Sequence, residues 1–346
     1  MTKPTTPPKV ELVWPEIHDV IHRSNYEKDT SLLEALLADG ADLSQRACAH
    51  TGTDMTVLHT AATGCVEVMN LLLENGAQPL LEEPCGPGEE ARWAGHTALQ
   101  MAAKSGNREI AGRLLECGAE YDVFSASALG DVSRLEELSS QDPDVLDSKD
   151  EYVATPLHWA ATSDQFNTAT FLINHGAKVN AHDSFEETPL LAASVRRSYQ
   201  DRNSPKQKHN VSYKSLEEFL LAKGAPIDEF VASALDHPTL IALLDENSGA
   251  ATTTNSHGTT PLHWAARNGH IEAARQLLKH GAAIDAQDAI GCPPLWYAAY
   301  WGKDKEMTQF LCQQGAEVSI RNIWGKDISA YDCGLPCWSI IRHYRK

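Results

Sequence analysis

The sequence lacks the features that mark membrane proteins and secreted proteins. No apolar run approaches the roughly 20 residues that a membrane-spanning helix needs. The first ten residues contain lysines and prolines, and no apolar stretch follows them, so we find no secretory signal peptide. The eight cysteines show neither metal-site nor disulfide spacing. We therefore expect an intracellular, cytoplasmic chain whose thiols stay reduced.

Positive charge is also scarce. The chain has 29 lysines and arginines against 47 aspartates and glutamates, which gives a formal net charge of -18 at pH 7. Such a surface disfavours the phosphate backbone of nucleic acids as a general partner. It favours basic partners instead.

Motifs of catalysis are missing as well. The sequence has no glycine-rich phosphate loop and no Gly-x-Ser-x-Gly turn. Three residues separate Cys333 from Cys337, whereas two separate the cysteines of common zinc and redox motifs. His18 and His22 have the i, i+4 spacing of a metal pair, but no third ligand is evident. We therefore expect no catalytic residues, no metal and no cofactor, and we interpret the protein as a non-enzyme.

What the chain does contain is clearest at residues 258–282, which read as two short helices joined by a turn. Pro261 suits a first helical turn, and Thr260 can accept a bond from a free amide there. Gly269 ends the first helix, and Gly281 supplies the left-handed residue that ends the second. The helices have narrow apolar faces, made by Leu262, Ala265, Ala266, Ile271, Ala274, Leu277 and Leu278.

This segment resembles an ankyrin repeat, whose signature is Thr-Pro-Leu-His-x-Ala at a period of about 33 residues. The signature position recurs at Thr56, Thr97, Thr155, Thr188, Thr260 and Pro293. Gly-Ala helix stops follow at Gly40, Gly76, Gly118, Gly176, Gly224, Gly249, Gly281 and Gly315. The resemblance implies an all-α ankyrin-repeat solenoid, made of stacked helix–turn–helix units with short β-hairpin or loop tips.

The repeat positions also divide the chain. We predict an N-terminal tail at 1–13, an array of about nine repeat units at 14–324 and a degenerate capping repeat at 325–346. Two units, near 122–148 and 228–256, lack the signature. The order of one degenerate unit and two regular ones recurs after 105 or 106 residues, which suggests duplication of a three-unit block.

Two insertions interrupt the array, at 81–94 and 196–214. The first is acidic and rich in proline and glycine, which predicts an irregular exposed segment. The second carries six basic residues and one acid, a net charge of +5. It is either a solvated loop or a contact with an acidic partner surface.

The repeat accounts for five of the 15 histidines. The resemblance implies that His59, His158 and His263, at the signature His, bond the backbone of an adjacent loop. His175 and His280 precede glycine stops, where an imidazole can meet free carbonyls.

The resemblance also implies a partner on the concave groove, against the tips and the ends of the first helices. The tips at 150–187 are acidic, and the C-terminal units are aromatic. Two interpretations of these aromatic residues stay open, namely a binding hot spot and a core under the terminal cap. The candidate partner-binding residues are Glu151, Tyr152, Phe185, His257, Arg267, Asn268, Ile290, Tyr300, Trp301 and Trp324.

From these observations we expect a non-catalytic protein–protein interaction scaffold or adaptor. Its partners are expected to be proteins, basic or extended in character, with no membrane contact. Two alternatives belong to other classes. One is an enzyme or enzyme subunit with a site in the insertions, and the other is a nucleic-acid contact through the basic 196–214 segment.

Overall fold

The computed structural model describes residues 16–48, 54–78, 95–194, 216–247, 249–323, 325–328 and 337–345. The chain divides into two compact bodies, Met1–Arg134 and Leu135–Lys346, called here the N-terminal and C-terminal bodies. Short helices in pairs make up most of both. In the described residues, strand structure is confined to two antiparallel two-residue strands, β1 (Ala47–Cys48) and β2 (Asp54–Met55). Among the described helices, none is long and apolar enough to cross a membrane.

The helices of the N-terminal body are short, from five to twelve residues. They are α1 (Glu16–Glu27), α2 (Ser31–Ala38), α3 (Val57–Ala61), α4 (Val66–Leu72), α5 (Ala98–Ser105), α6 (Arg108–Glu116), α7 (Val123–Leu129) and α8 (Val132–Gln141). A π-type turn follows α4 at Leu73–Ala77, and α8 contains the boundary between the bodies.

The C-terminal body continues the pattern. A 3-10 turn spans Pro143–Asp147, and residues 189–194 are helical. The helices are α9 (Pro156–Thr162), α10 (Phe166–Asn174), α11 (Leu216–Ala222), α12 (Glu229–Ala234), α13 (Thr239–Glu246), α14 (Pro261–Asn268), α15 (Ile271–Lys279), α16 (Pro294–Trp296), α17 (Lys305–Gln313) and α18 (Trp338–Tyr344). Further turns lie at Ala250–Thr252 and Tyr297–Trp301.

The signature residues begin the first helices as expected. At Thr56, Thr155 and Thr260, the threonine and the signature histidine three residues later form a reciprocal capping box, which satisfies amides at the helix start. Glycines in the left-handed region end helices, as Gly281 does after α15 at φ 91°. The predicted all-α ankyrin-type architecture is confirmed.

The two degenerate units also fold as helix pairs. Asp122 and Asp228 replace the signature threonine and cap α7 and α12, accepting bonds from Ser125 N (2.7 Å) and Val231 N (2.8 Å). The second helices of these two units are α8 and α13. The signature is therefore dispensable for the helix pair where another side chain caps it.

Small side chains let the helices of the C-terminal body pack closely. A continuous cluster in its core, from Ala232 to Ile341, combines buried alanines and leucines with three large aromatic residues, Trp296, Tyr297 and Phe310. The cluster extends to Ile341 of α18, the terminal helix that we predicted as a cap. Arg345 at the end of α18 pairs with the buried carboxylate of Asp327 (3.2 Å).

Three predicted segments lie outside the described residues. They are the tail at 1–13 and the insertions at 81–94 and 196–214.

The two histidines of the i, i+4 pair in the N-terminal body differ in their placement. His18 is buried, and its ring bonds Thr60 Oγ1 (2.9 Å) and the Gln45 carbonyl (3.0 Å). His22 is exposed. Within the described residues, no group of three or more His, Cys, Asp or Glu side chains is arranged to hold a metal ion.

Candidate partner-binding surface

The tips of the C-terminal body are turns built on an aspartate or asparagine side chain. Asp150 Oδ1 accepts bonds from the backbone amides of Tyr152 and Ala154, both at 2.9 Å. A second pair of such bonds recurs at Asp288, from Ile290 N (3.1 Å) and Cys292 N (2.8 Å). Asp183 and Asn255 are bonded in the same way. These side chains therefore fix the shape of each turn.

Neighbouring tips are joined by backbone hydrogen bonds. Ser184 N donates to the Tyr152 carbonyl (2.7 Å), Ala289 N to the His257 carbonyl (2.7 Å) and Ile323 N to the Ile290 carbonyl (3.0 Å). The tips thus form one row, which we call the tip row: residues 150–153, 183–186, 255–258, 288–291 and 321–323.

Side chains make the one remaining junction of the tip row. Asn255 Nδ2 donates to the Phe185 carbonyl (3.2 Å), and Ser256 N donates to Glu186 Oε2 (3.1 Å). The degenerate repeat unit at 228–256 lies between these two tips in sequence and contributes no turn of its own before α12. The row is therefore continuous across that unit.

Aromatic and aliphatic side chains follow one another along the tip row. The rings of Tyr152 and Phe185 are stacked with centroids 5.7 Å apart, and those of Phe185 and His257 are 4.8 Å apart. All three are half-buried, as is Ile290, and Ile323 is 62% exposed. Five candidate residues of the sequence prediction, Glu151 included, thus lie on one surface.

The acidic residues of the first two tips divide into two groups. Glu151 and Glu186 are exposed, whereas Glu187 is buried. Asp150 and Asp183 are half-buried and hold their turns. The predicted acidic character thus reaches solvent mainly through two glutamates.

Asn268 requires a correction to the sequence prediction. Its side chain is 5% exposed, and its Nδ2 donates to the Ala234 carbonyl (2.7 Å). The amide is committed to packing between first helices, so we leave it out of the binding surface. Its neighbour Arg267 is half-buried, with its guanidinium carbon 5.7 Å from the centroid of the Trp264 ring.

Tyr300 and Trp301 lie on a π-type turn. Gly302 follows Pro293 by nine residues, as Gly269 follows Thr260, but Gly302 N bonds the Tyr297 carbonyl five residues back (2.7 Å), which is the spacing of a π-type turn. The rings of Tyr300 and Trp301 are edge to face at 5.7 Å, and both side chains are half-buried against the core. Trp324 lies outside the described residues.

The signature histidines are structural, as the resemblance implied. Thr155 N donates to Nδ1 of His158 (3.1 Å), so the ring proton is on Nε2, which donates to the Glu187 carbonyl (3.0 Å). His263 bonds the Cys292 carbonyl in the same way (3.1 Å). Burial lowers the pKa of both His158 and His263 to about 4, so both are neutral at pH 7. His59 likewise bonds a backbone carbonyl, that of His96 (2.9 Å).

The two histidines before glycine stops are also placed as predicted. Nδ1 of His175 donates to the Phe171 carbonyl, and Nδ1 of His280 to the Gln276 carbonyl, both at 2.8 Å. These rings satisfy free carbonyls in the last helical turn.

Sequence reasoning missed the turn-forming side chains, although a signal was present. An aspartate or asparagine lies five residues before the signature position in four successive tips: Asp150, Asp183, Asn255 and Asp288. Asp150 and Asp288 also accept a bond from a buried aromatic residue, through Trp159 Nε1 (2.9 Å) and the Tyr297 hydroxyl (2.8 Å). The spacing identifies the residues that hold the tip row in place.

Comparison with known proteins agrees with the repeat pattern. The sequence profile of the family described as "Ankyrin repeats (3 copies)" matches residues 20–125, 123–201 and 230–322. Inversin from Canis lupus familiaris is 29% identical over 180 residues, which are 51% of this chain and 16% of that protein. Transient receptor potential cation channel subfamily A member 1 from Drosophila melanogaster is 29% identical over 139 residues, 38% of this chain and 11% of that one.

These matches span less than a fifth of the two relatives' length. Among solved structures, the human ASB11 ankyrin repeat domain is 20% identical with a TM-score of 0.33, covering 66% of this chain and 99% of that one.

Proposed function

We propose, because this chain belongs to the ankyrin-repeat family, that it is a non-catalytic scaffold or adaptor that binds a partner protein along the tip row. Ankyrin repeats are in general protein–protein interaction modules. The observation that carries the proposal is the run of partly exposed rings and aliphatic side chains from Tyr152 to Ile323. Contiguous apolar surface and aromatic residues are typical of binding sites.

The proposed surface contains most of the residues expected from the sequence. On the tip row they are Glu151, Tyr152, Phe185, His257 and Ile290. Arg267, Tyr300 and Trp301 at the ends of first helices extend it toward the concave groove, and Trp324 is retained from the sequence alone.

The hydrogen bonds between tips support an extended partner segment. A surface fixed by backbone bonds loses little conformational freedom on binding, so the entropic cost of ordering it is small. A linear row of side chains, one tip after another, suits a segment that runs along it. A cytoplasmic location is part of the proposal, on the ground of cysteine usage in the sequence.

The test uses the four large hydrophobic residues that are exposed among the described residues. Two belong to the tip row, Val153 and Ile323, and two belong to the helices α2 and α13, Leu32 and Ile241. The tip variant combines Val153→Asn and Ile323→Asn, and the matched control combines Leu32→Gln and Ile241→Gln.

Each variant is used for affinity capture from native cell extract, after thermal melts show that it folds like wild type. We expect the control to capture the same partner as wild type and the tip variant to lose at least tenfold of it. Truncating two contacts of about 1 kcal/mol each has that effect. Equal capture by the two variants would show that the partner binds elsewhere.

A further inference from the structure

We infer that the partner segment bound along the tip row has cationic residues at one end and an apolar residue at the other end. Its cationic part lies over the first two tips, and its apolar part lies over Ile290 and Ile323. This inference rests on the proposed function and adds the chemistry and the orientation of the partner.

The charge of the tip row is concentrated at one end. Residues 149–153 and 182–187 contain five carboxylates and one lysine, a net charge of -4. Of these, Glu151 and Glu186 are exposed, and the half-buried carboxylates of Asp150 and Asp183 accept backbone bonds. Half-buried carboxylates beside low-dielectric side chains act over a longer range than fully solvated ones.

Aromatic rings lie among these carboxylates. The stacked rings of Tyr152 and Phe185 are each next in sequence to an exposed glutamate, and Ser256, beside His257, bonds the Glu186 carboxylate. The aliphatic stem of a lysine or arginine packs on aromatic side chains while its charged head reaches a carboxylate. The surface therefore fits a cationic side chain better than a purely apolar or an anionic one.

The other end of the tip row has the opposite character. The carboxylate of Asp288 accepts two backbone amides and the Tyr297 hydroxyl. Ile290 and the 62% exposed Ile323 lie beside exposed Arg321. A cation is disfavoured there and an apolar side chain is favoured, which gives the bound segment one orientation.

The test needs no known partner. A phage-displayed random peptide library is selected on the full chain, and the recovered peptides are measured by fluorescence anisotropy. The charge variant combines Glu151→Gln and Glu186→Gln, and the glutamine at 186 keeps an acceptor for Ser256 N. The matched control combines Glu246→Gln and Glu306→Gln, exposed acids on α13 and α17.

We expect selected peptides to be enriched in lysine and arginine. Their affinity should fall about threefold to tenfold in the charge variant, as for two exposed charge pairs, and less than twofold in the control. A benzophenone at the apolar end of a peptide should cross-link residues near Ile323, not residues near Tyr152.

The remaining outcomes separate the two proposals. Peptides that lose affinity in the Val153→Asn, Ile323→Asn variant but show no cationic enrichment would overturn this inference and leave the proposed function standing. A cross-link from the apolar end to the first two tips would overturn the orientation. A selection in which no peptide depends on the tip row would refute the proposed function and this inference together.

Discussion

Two buried histidines should make the stability of the C-terminal body depend strongly on pH between 6.5 and 4. Burial lowers the pKa of His158 and His263 to about 4 in the folded state, against 6.5 for a solvated histidine. In this window the unfolded chain binds more protons than the folded one, so the free energy of unfolding rises with pH. Above pH 6.5 this dependence ends, because both states hold neutral rings.

The size of the effect follows from the shift. One proton taken up on unfolding changes stability by about 1.4 kcal/mol per pH unit. Lowering the pH from 6.5 to 5 therefore costs about 2 kcal/mol for each histidine, or about 4 kcal/mol for both. Burial raises the pKa of Asp228, which acts in the opposite direction, but this carboxyl is the same in wild type and variant and cancels in their comparison.

Another repeat unit of the chain suggests which residue can replace the two histidines. At the unit of Thr97 the signature histidine is Gln100, whose Oε1 accepts from Thr97 N (2.9 Å) and whose Nε2 donates to Asp122. Glutamine therefore closes the same capping box without a titratable group. We expect the double variant His158→Gln, His263→Gln to keep the fold.

The assay is urea denaturation of both proteins at pH 7.0 and pH 5.0. Wild type should lose about 4 kcal/mol more than the double variant over this range. Each single variant, His158→Gln or His263→Gln, should remove about half of that difference. The reasoning is refuted if the double variant and wild type lose equal stability between the two pH values.

Three substitutions test how the tips and the π-type turn are held. Asp150→Asn places an amide N–H against the N–H of the buried Trp159 and should lower the free energy of unfolding in urea by about 1–3 kcal/mol. Val153, at φ 62°, is a β-branched residue in the left-handed region, so Val153→Gly should raise the melting temperature by roughly 1–2 °C in calorimetry. Gly302→Ala should lower the free energy of unfolding by about 1–3 kcal/mol, because its Cβ would be 2.6 Å from the Arg267 carbonyl oxygen.

Two of these substitutions have an internal comparison. Asp183→Asn should cost less than the change at Asp150, because the side chain of Ala192 has no hydrogen-bond donor where Trp159 has its indole N–H. Gly258→Val should destabilise, since a Cβ at φ 71° would lie 3.2 Å from backbone atoms of Asp288 and Ala289. A stabilising Gly258→Val or a neutral Gly302→Ala would contradict the packing described above.

The starts and ends of the helices were predictable, because the residues that determine them are close together in the sequence. Thr260, Pro261 and His263 each satisfy a specific need of a helix start, so their order predicts where α14 begins. Glycine stops such as Gly281 do the same for the ends. The degenerate units were recognisable because Asp122 and Asp228 cap as well as threonine does.

The predictions that failed concern side chains whose placement depends on contacts between repeat units. Asn268 has the sequence position of a groove residue, but its amide reaches the Ala234 carbonyl of another helix pair, which a single repeat cannot reveal. For Tyr300 and Trp301 the spacing carried no signal, because Gly302 follows Pro293 by nine residues just as Gly269 follows Thr260. The half-buried placement of the two rings goes with the π-type turn at Tyr297–Trp301, and it lies between the two interpretations left open.

The claim that a partner lies along the tip row is tested most directly by site-specific photo-cross-linking. p-Benzoylphenylalanine is placed singly at Glu151 and Ile323 on the row, and at Leu32 and Ile241 of the helices α2 and α13, and each protein is irradiated in native extract. We predict one covalent adduct of the same mass increment from both tip positions and from neither control position. Adducts from Leu32 or Ile241 with none from the tips would contradict the claim.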